Sequence, residues 1–403
     1  MVNPLMPLEE ARKRLLEHAR VVTAGETVSL ASSYGRVLAS DLFAELDVPH
    51  WDNSAMDGYA ARLDSTSSTL QVSQTIRAGV APLPLAPDSV ARIFTGAPIP
   101  QGANVVIAQE EVAVMDDGRI ELPKAAQLGQ HIRRRGEDIS RGDLLLAAGT
   151  RLKPADLGVL ASQGYGEISV RSPLRVALLG SGDELVDPGS RELKVGEIYN
   201  SNSIMLESLL RAWGCSLERV AVVRDDFATT YQALKSAAES ADLVISSGGA
   251  SVGDADVIKQ ALSELGELAL WRVAIKPGKP FVFGQACGTP FIGLPGNPSS
   301  AFVTLAILAR PFISVLQGRT DGELHSVPVL ADFSLARPAN RTEFLRVNLT
   351  VKDKELLAQP LTNQSSGILS ALSQADALAI VEQGSPVQAG AALQAITLNQ
   401  LLW

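Results

Sequence analysis

Short apolar runs alternate with helical patterns between residues 175 and 265, and this rhythm constrains the fold more than any other feature. RVALLG, LERVAVV and DLVIS are typical of buried strands, and each is followed by residues at helical spacing. The clearest helical stretch covers 203–213 and is closed by Gly214. Strands and helices in this order form a parallel sheet with helices on both faces. We therefore predict an α/β domain over 173–322.

The pattern changes on both sides of this domain. Residues 7–19 place Leu8, Ala11, Leu15 and Ala19 on one face of an opening helix. Short runs broken by Gly, Pro, Asp and Ser fill 47–139, where alternation around 116–118 predicts a hairpin, so this segment is predicted to be a β-rich insertion. It would split a helical domain made of 1–46 and 140–172, and we expect residues 140–170 to pack with the opening helix. Strand patterns return in a final domain over 323–403.

Composition excludes several classes of protein. Lys and Arg number 35 against 44 Asp and Glu, and a net charge of −9 opposes nonspecific nucleic-acid binding. Two cysteines and four scattered histidines build neither a disulfide framework nor a zinc site. The charge-free run 280–309 is long enough to cross a membrane, but its prolines and glycines predict two buried strands, a tight turn and a helix. Without a signal segment, we expect a soluble cytoplasmic chain with no membrane partner.

Acidic side chains follow each of the three predicted strands. Asp183 and Glu184 follow the first, Asp225 and Asp226 the second, and Asp254 and Asp256 the third. Ligands of an open parallel sheet bind beyond the carboxyl ends of its strands. Carboxylates suit Mg²⁺ or proton transfer. One such pair is more typical of a polar loop than of a site, but three pairs at one edge favour a site.

The same edge is predicted to bind anions. Two glycine-rich loops lead from a strand into a helix, so that backbone N–H groups point at a phosphate. The first loop contains Ser247, Gly248, Gly249 and Ser251, and the second, GLPGNPSS, contains Pro295, Pro298, Ser299 and Ser300, with Ser299 as the candidate helix cap. Lys276 and Lys279 lie on a turn between apolar strands, where an ammonium group needs an anionic partner. GASVG at 249–253 matches a hydrolase elbow, but SSGG separates it from the strand end, which disfavours a serine hydrolase.

The motifs together resemble the molybdenum insertases, that is, the MoeA-type molybdopterin molybdenumtransferases and the gephyrin E domain. The resemblance is carried, in family order over nearly the whole chain, by DNSAMDGYA, RIFTGAPIP, RRRGEDI, GDELVDPG, GEIYNSN, SSGGASVGDAD, AIKPGKP and GLPGNPSS. It implies a multidomain α/β plus β fold: an elongated helical domain, a β-rich insertion, a molybdopterin-binding (MogA-like) α/β domain and a C-terminal β-barrel. It also implies a homodimer in which the insertion of one subunit completes the active site of the other.

The reaction that the resemblance implies uses adenylylated molybdopterin, molybdate and Mg²⁺. The phosphoanhydride is cleaved, AMP leaves, and the dithiolene ligates the metal. Carried over by motif, the acidic functional positions are Asp183, Glu184, Asp225 and Asp256, and the last three are the candidate Mg²⁺ ligands. The positions expected to bind oxyanion or pterin are Lys276, Lys279, Ser299 or Ser300, Arg341 or Arg346, and Ser366. Asp57, Thr95 and Asp138 match the loops expected to act in the partner's site.

Two departures and two alternatives accompany the resemblance. Asn200 stands where many members have Asp, and SSGIL lacks the basic residue often found after its serines. A molybdopterin adenylyltransferase shares the α/β domain alone, so the extra domains and GLPGNPSS favour the insertase. A gephyrin-like scaffold is the alternative from another class, and it is disfavoured because no gephyrin-like linker is seen. Molybdopterin adenylyltransferase and acceptor molybdoenzymes are the implied partners, and tungstate could replace molybdate.

Overall fold

The computed structural model describes residues 5–64, 69–224, 226–248, 257–336 and 338–402. The helices are α1 (Leu8–Glu17), α2 (Pro154–Ser162), α3 (Ser201–Ala212), α4 (Phe227–Ser240), α5 (Val257–Leu265), α6 (Pro298–Val303), α7 (Arg310–Leu316) and α8 (Ser370–Gln374), with a π-helical segment at Thr304–Ala309 and 3₁₀ turns at Leu30–Ser32, Gln109–Glu111 and Leu398–Leu402. The strands up to the central domain are β1 (Gly25–Ser29), β2 (Leu42–Phe43), β3 (Asn53–Ser54), β4 (Gly58–Ala61), β5 (Thr69–Ile76), β6 (Ser89–Ile93), β7 (Val105–Ala108), β8 (Ala113–Val114), β9 (Ile120–Glu121), β10 (Ile132–Arg133), β11 (Leu144–Leu146) and β12 (Glu167–Arg171). The later strands are β13 (Arg175–Ser181), β14 (Leu185–Val186), β15 (Ile198–Tyr199), β16 (Ser216–Val223), β17 (Leu243–Ser247), β18 (Leu268–Arg272), β19 (Ile275–Lys276), β20 (Pro280–Ala286), β21 (Thr289–Leu294), β22 (Val327–Ala331), β23 (Thr342–Lys352), β24 (Glu355–Pro360), β25 (Ala377–Val381) and β26 (Ala392–Thr397).

The central sheet has six strands in the order β16-β13-β17-β21-β20-β18. The first four are parallel, which confirms the predicted α/β fold. β20 is antiparallel to both of its neighbours, β21 and β18. Only Cys287 and Gly288 join β20 to β21, and a two-residue turn makes a hairpin and not a crossover. Both turn residues have positive φ, 51° and 84°, as a tight hairpin turn requires.

Both faces of this sheet are buried, so its strands are apolar on both sides. Leu178 of β13 packs into a core with α3 and the helices after residue 298, whereas Leu179 packs on the opposite side with α4 and α5. Successive side chains of a strand point to opposite faces. This explains why RVALLG shows no polar alternation.

The helical run Pro298–Leu316 supplies much of the first core. Of the helices in the described ranges, it alone is long and apolar enough to cross a membrane by length and composition, and 83% of its apolar window is buried inside the protein. The expected strand–strand–turn–helix arrangement of 280–309 is confirmed. The run contains the π-helical segment, where the backbone carbonyl of Ile307 accepts two hydrogen bonds from Arg12, at 3.1 and 2.9 Å.

The opening helix α1 packs against this run and not against 140–170. The predicted face of Leu8, Ala11 and Leu15 is buried, so the helix prediction is confirmed and its expected packing partner is wrong. The physical reason is that Pro298–Leu316 is apolar around its circumference and offers α1 a large surface. Residues 152–170 instead form a separate small core with Leu38 and Leu42.

Two further six-stranded sheets flank the central domain. The first, in the order β7-β4-β6-β5-β9-β8, lies within the predicted insertion and includes the predicted hairpin as β8 and β9. The second joins β22 to β26 into a closed five-stranded barrel, because β23 pairs with both β24 and β25. Strand β19, from the α/β segment, extends the barrel sheet by pairing in parallel with β23.

Gly58 tests how tightly the insertion sheet is packed. A Cβ at Gly58 would overlap the carbonyl oxygen of Ile107 on β7, whereas a Cβ at Gly158, in α2, would meet nothing within 4 Å. We expect Gly58→Ala to lower the free energy of unfolding by about 1–3 kcal/mol through overpacking. Gly158→Ala should raise it by about 0.5–1 kcal/mol, because Ala is the better helix former. Urea unfolding with hydrogen exchange of the β4 and β7 amides measures both, and equal effects of the two substitutions would contradict the packing argument.

Candidate functional site

A cleft of about 600 Å³ opens at the carboxyl-end edge of the central sheet, where the sequence predicts a ligand. Its lining includes three predicted site residues, Glu184, Ser247 and Pro298. A larger cleft of about 950 Å³ lies between α1 and the barrel and contains none of the predicted site residues. The smaller cleft is therefore the candidate site.

Three strand-end loops touch at the base of this cleft. The Gly248 N–H donates to Leu294 O at 3.1 Å, which joins the loop after β17 to the loop after β21. A Cβ at Gly248 would lie 2.5 Å from Ser181 O, at the end of β13, and 3.8 Å separates the Cβ position of Gly296 from the Cα of Gly248. The φ of Gly248 is +96°, which other residues rarely adopt. The two glycine-rich loops thus lie at the same edge of the sheet, as predicted, and their contact requires glycine at position 248.

The start of α3 forms one wall of the cleft. Asn200, which is 3% exposed, caps the helix by accepting from the Ser203 N–H at 3.2 Å. Asn and Asp cap helices equally well, so the departure from Asp at this position preserves the cap. The side chain of Asn202 donates to Ser247 Oγ at 2.9 Å and to Gly296 O at 2.7 Å, and it bridges the two glycine-rich loops.

A second wall is the excursion between β14 and β15. Arg191 holds it together through two contacts with Glu197, at 2.6 and 2.8 Å, and the Lys194 N–H donates to the same carboxylate at 2.8 Å. These bonds lower the pKa of Glu197 to about 2, so the carboxylate stays ionised. Ile198 and Tyr199 at the end of the excursion are exposed and line the cleft.

The predicted carboxylates divide into two kinds. Asp183 and Glu184 are exposed, and the Glu184 carboxylate folds over Gly182 at the cleft edge. Asp226 instead caps α4 by accepting from the Thr229 N–H at 3.0 Å, and hydrogen bonding to Thr229 lowers its pKa. Asp225, Asp254 and Asp256 lie outside the described residues, as do Gly249 and Ser251. In the part of the chain that the structure describes, no group of three His, Cys, Asp or Glu side chains could hold a metal ion.

Lys276 already has an anionic partner. Its ammonium group lies 3.1 Å from both carboxylate oxygens of Glu343, on barrel strand β23. The protein itself thus supplies the anionic partner that the sequence requires, because the parallel pairing of β19 with β23 places Glu343 beside Lys276. A ligand contact of Lys276 stays a prediction. The ammonium group of Lys279, three residues on, has no hydrogen-bond or ion-pair partner among the described residues. Arg341 donates to Ile275 O at 3.2 Å beside the same turn.

The start of α6 contacts a barrel loop. Ser299 N–H donates to Ser366 O at 3.0 Å, its hydroxyl donates to Ile368 O at 2.7 Å, and Asn297 Nδ2 donates to Ser366 Oγ at 3.1 Å. The expected capping role of Ser299 is wrong, because the N-cap is Asn297 and Pro298 is the first helical residue. Ser299, Ser300 and Pro295 are all buried.

Arg346 lies behind that loop and is 1% exposed. It donates to Ser365 O at 3.2 Å, its Nε has no hydrogen-bond partner, and no carboxylate within the described ranges pairs with it. Burial lowers the pKa of Arg346, and a guanidinium nonetheless remains charged near neutral pH. A buried cation without a counter-ion is costly, which favours a nearby anion.

The insertion residues form a separate group. Asp57 Oδ1 accepts from the N–H of Thr95 at 2.8 Å and from its hydroxyl at 2.7 Å, and these two bonds lower the pKa of Asp57. Asp138 is exposed. None of these residues is among those that line the cleft within one described chain. In the run of three arginines at 133–135, Arg134 pairs with Asp52 at 2.7 Å and Arg135 with Asp47 at 2.6 Å, so these two exposed side chains have partners within the insertion.

Sequence reasoning missed two residues that the fold places centrally. Asn202 lies in the motif GEIYNSN, but only its neighbour Asn200 was singled out there, and the bridge depends on loops 45 and 94 residues away. No local sequence pattern singles out Glu343, because its pairing with Lys276 depends on a contact between strands that are 67 residues apart.

Comparison with known proteins gives matches across most of the chain. Family models match at 6–164 (MoeA N-terminal region, domain I and II), 177–315 (probable molybdopterin binding domain) and 328–398 (MoeA C-terminal region, domain IV). The molybdopterin molybdenumtransferase of Haemophilus influenzae is 36% identical over 405 residues, covering 99% of this chain and 100% of the relative. Molybdopterin molybdenumtransferase 2 of Mycobacterium tuberculosis is 37% identical over 83% of this chain and 87% of its own. The crystal structure of the molybdopterin biosynthesis moeA protein of Pyrococcus horikoshii superposes with a TM-score of 0.83 at 28% identity, covering 98% of this chain and 100% of that one.

The bonds between Asp57 and Thr95 predict a measurable titration. Thr95→Val removes the hydroxyl donor and keeps the N–H, so the pKa of Asp57 should rise toward its ordinary value, because the ionised form loses one stabilising bond. Thr95→Ser keeps the hydroxyl and should leave the pKa low. Carboxyl-carbon NMR titration of Asp57 in the three proteins measures this, and an unchanged pKa in Thr95→Val would contradict it.

Proposed function

This chain belongs to the molybdopterin molybdenumtransferase family, and we propose that its substrates are molybdate and adenylylated molybdopterin. Members of this family are transferases of molybdenum cofactor biosynthesis, so the chain is an enzyme that inserts molybdenum into molybdopterin. The proposed reaction cleaves the phosphoanhydride of the adenylylated substrate, releases AMP and depends on Mg²⁺. The matches to the N- and C-terminal MoeA regions favour an insertase over an adenylyltransferase, which shares only the α/β domain.

The observation that carries this proposal is a pair of cations, Lys279 and Arg346, which have no ion-pair partner in the described ranges and lie on segments that contact the helical run beginning at the cleft. Arg346 is buried behind the loop of Ser366, and that loop contacts the start of α6, which lines the cleft. The turn that carries Lys279 packs on the same helix, because Gly278 contacts Thr304 and lies near Ser300. Molybdate and phosphate are oxyanions, and charge-assisted hydrogen bonds from Lys and Arg bind them strongly. We therefore propose that Lys279, Arg346, Ser366 and the α6 start bind the oxyanion.

The acidic edge of the cleft suits Mg²⁺ bound together with substrate phosphates. Glu184 offers exposed carboxylate oxygens there, which are the ligand type that Mg²⁺ prefers. Mg²⁺ usually takes one or two carboxylates and completes its shell with water and substrate phosphate. A single well-placed glutamate, with Asp225 and Asp256 as the further candidates, is compatible with that habit. The ion would offset phosphate charge as AMP leaves.

We also propose that two chains form a homodimer with shared sites. The cleft is lined by segments of 181–202, 247, 296–298 and 367–369, and within one chain none of the described insertion residues reaches it. Asp57 and Thr95 nevertheless form a pre-ordered polar pair at the insertion surface. A second subunit that presents this pair to the cleft would give it a role.

The function is tested by AMP release from adenylylated molybdopterin in the presence of Mg²⁺. We expect release when molybdate is added, and none when it is replaced by sulfate, a dianion of the same shape that supplies no metal. Lys279→Met should raise the half-saturating molybdate concentration about 10- to 100-fold, since a hydrogen bond to a charged group contributes about 1.5–3 kcal/mol.

Lys352→Met provides the matched control for this experiment. Lys352 is exposed at the far end of β23, and its substitution removes the same charge from the barrel without touching the cleft. The control should keep wild-type molybdate saturation. AMP release at the same rate without molybdate would overturn the proposed function, and wild-type saturation in Lys279→Met would exclude Lys279 from the oxyanion site.

The shared site predicts complementation between two inactive chains. Asp57→Ala and Glu184→Ala should each be inactive alone. In a co-expressed mixture, a symmetric dimer gives mixed pairs with one intact site, so activity should recover to about a quarter of wild type. Light scattering on the same samples measures the dimer. An active monomer, or no recovery in a mixture proven to contain mixed pairs, would contradict the proposal.

A further inference from the structure

Asn202 has a side chain whose orientation is fixed by the protein. Its amide lies 2.7 Å from Gly296 O, a carbonyl oxygen that can only accept, so the atom at that position is the nitrogen Nδ2. The same nitrogen donates its second hydrogen to Ser247 Oγ at 2.9 Å. Both amide hydrogens are thus used inside the protein.

The amide oxygen is left for a ligand. No described residue donates to Asn202 Oδ1, and the oxygen is not among the buried unsatisfied atoms of the described chain, so it is open to solvent. Asn202 lines the 600 Å³ cleft. It therefore offers the cleft an acceptor and no donor.

The surroundings of this oxygen suit a flat heterocycle. Ile198, Tyr199 and Leu369 line the same cleft and are 53%, 41% and 36% exposed. Exposed apolar side chains beside a few fixed polar groups are the usual composition of a small-molecule site. A planar ring can pack on the apolar surface while its edge meets the amide oxygen.

We propose that Asn202 is a specificity-determining residue whose Oδ1 accepts a hydrogen bond from the exocyclic amino group of the pterin. This rests on the proposed function, in which molybdopterin binds at this edge of the sheet. A primary amine on an aromatic ring donates and hardly accepts, which matches a side chain that only accepts. The adenine of the AMP portion carries the same kind of amine, so the test must separate the two rings.

The site should bind an analogue with oxygen in place of the amino group more weakly than the pterin. Two acceptors would then face each other, and a site built to bond an N–H discriminates against an analogue that lacks it. We expect wild type to bind pterin-6-carboxylate at least tenfold more tightly than lumazine-6-carboxylate, in which oxygen replaces the amino group. Fluorescence titration measures both affinities without turnover, so the result is independent of the AMP-release experiment.

Two variants separate recognition of the amino group by Asn202 Oδ1 from the bridging of the two loops by Asn202 Nδ2. Asn202→Ala removes the oxygen and the bridge, and the preference for the pterin should disappear. Ser247→Ala removes one partner of the bridge and leaves Oδ1 in place, so both affinities should fall together while the preference stays. Thermal melting of the same samples checks that each variant is folded.

Each remaining outcome decides against the inference. Equal binding of the two pteridines by wild type overturns the role of Asn202 and leaves the proposed function standing. A preference that survives in Asn202→Ala does the same. Wild type that binds AMP and neither pteridine assigns the acceptor to adenine and removes the pterin from this cleft. If Asn202→Ala changes only the Mg²⁺ concentration needed for AMP release, the oxygen is a metal ligand and the inference fails.

Discussion

Three backbone segments pass one another at van der Waals distance at the base of the cleft, and that contact positions the loops that follow β13, β17 and β21. Gly248 lies against Ser181 O and donates to Leu294 O, so the ends of β13, β17 and β21 are fixed relative to one another. No side chain fits between them. Because the loops meet as bare backbone, their polar groups remain free to be bridged by Asn202 from a helix that starts at the same edge.

The barrel takes part in this arrangement through backbone and charge. Ser299 donates twice to the barrel loop, and Lys276 pairs with Glu343, whose side chain is only 12% exposed. Strand β19 is itself part of the barrel sheet. The ion pair between Lys276 and Glu343 fixes the turn that carries Lys279. The ammonium group of Lys279, which has no partner in the described part of the chain, is therefore positioned by that pair. The C-terminal domain therefore shapes the side of the cleft at which we propose that the oxyanion binds.

Local sequence patterns predicted the helices and strands, whereas the arrangement of side chains in the site depends on contacts between residues that are far apart in sequence. The parallel strands, the 116–118 hairpin and the buried strands of 280–309 were predictable because periodicity and turn residues act within a few positions. The packing partner of α1 was not predictable, because an apolar face shows that a helix is buried but does not show which element covers it. The partner of Lys276 could not be read from the sequence either, because it depends on the register between β19 and β23. Asp226 follows a strand as the other acids do, but its position before α4 makes it a helix cap.

Polar groups of the insertion and of the cleft differ in how far the protein satisfies them. Asp57 accepts two bonds from Thr95, and Arg134 and Arg135 pair with aspartates of the same region. In the cleft, by contrast, the Asn202 oxygen and the Glu184 carboxylate are open, and Lys279 beside it has no described partner. Groups that are already ordered lose little further conformational entropy on binding, whereas groups without a protein partner gain their hydrogen bonds from the ligand or subunit that binds them. Val195, in the excursion between β14 and β15, and Ile204, in α3, are exposed apolar side chains on the two elements that form walls of the cleft. In the proposed dimer, an insertion that docks over the cleft of the other subunit would use both sets of groups.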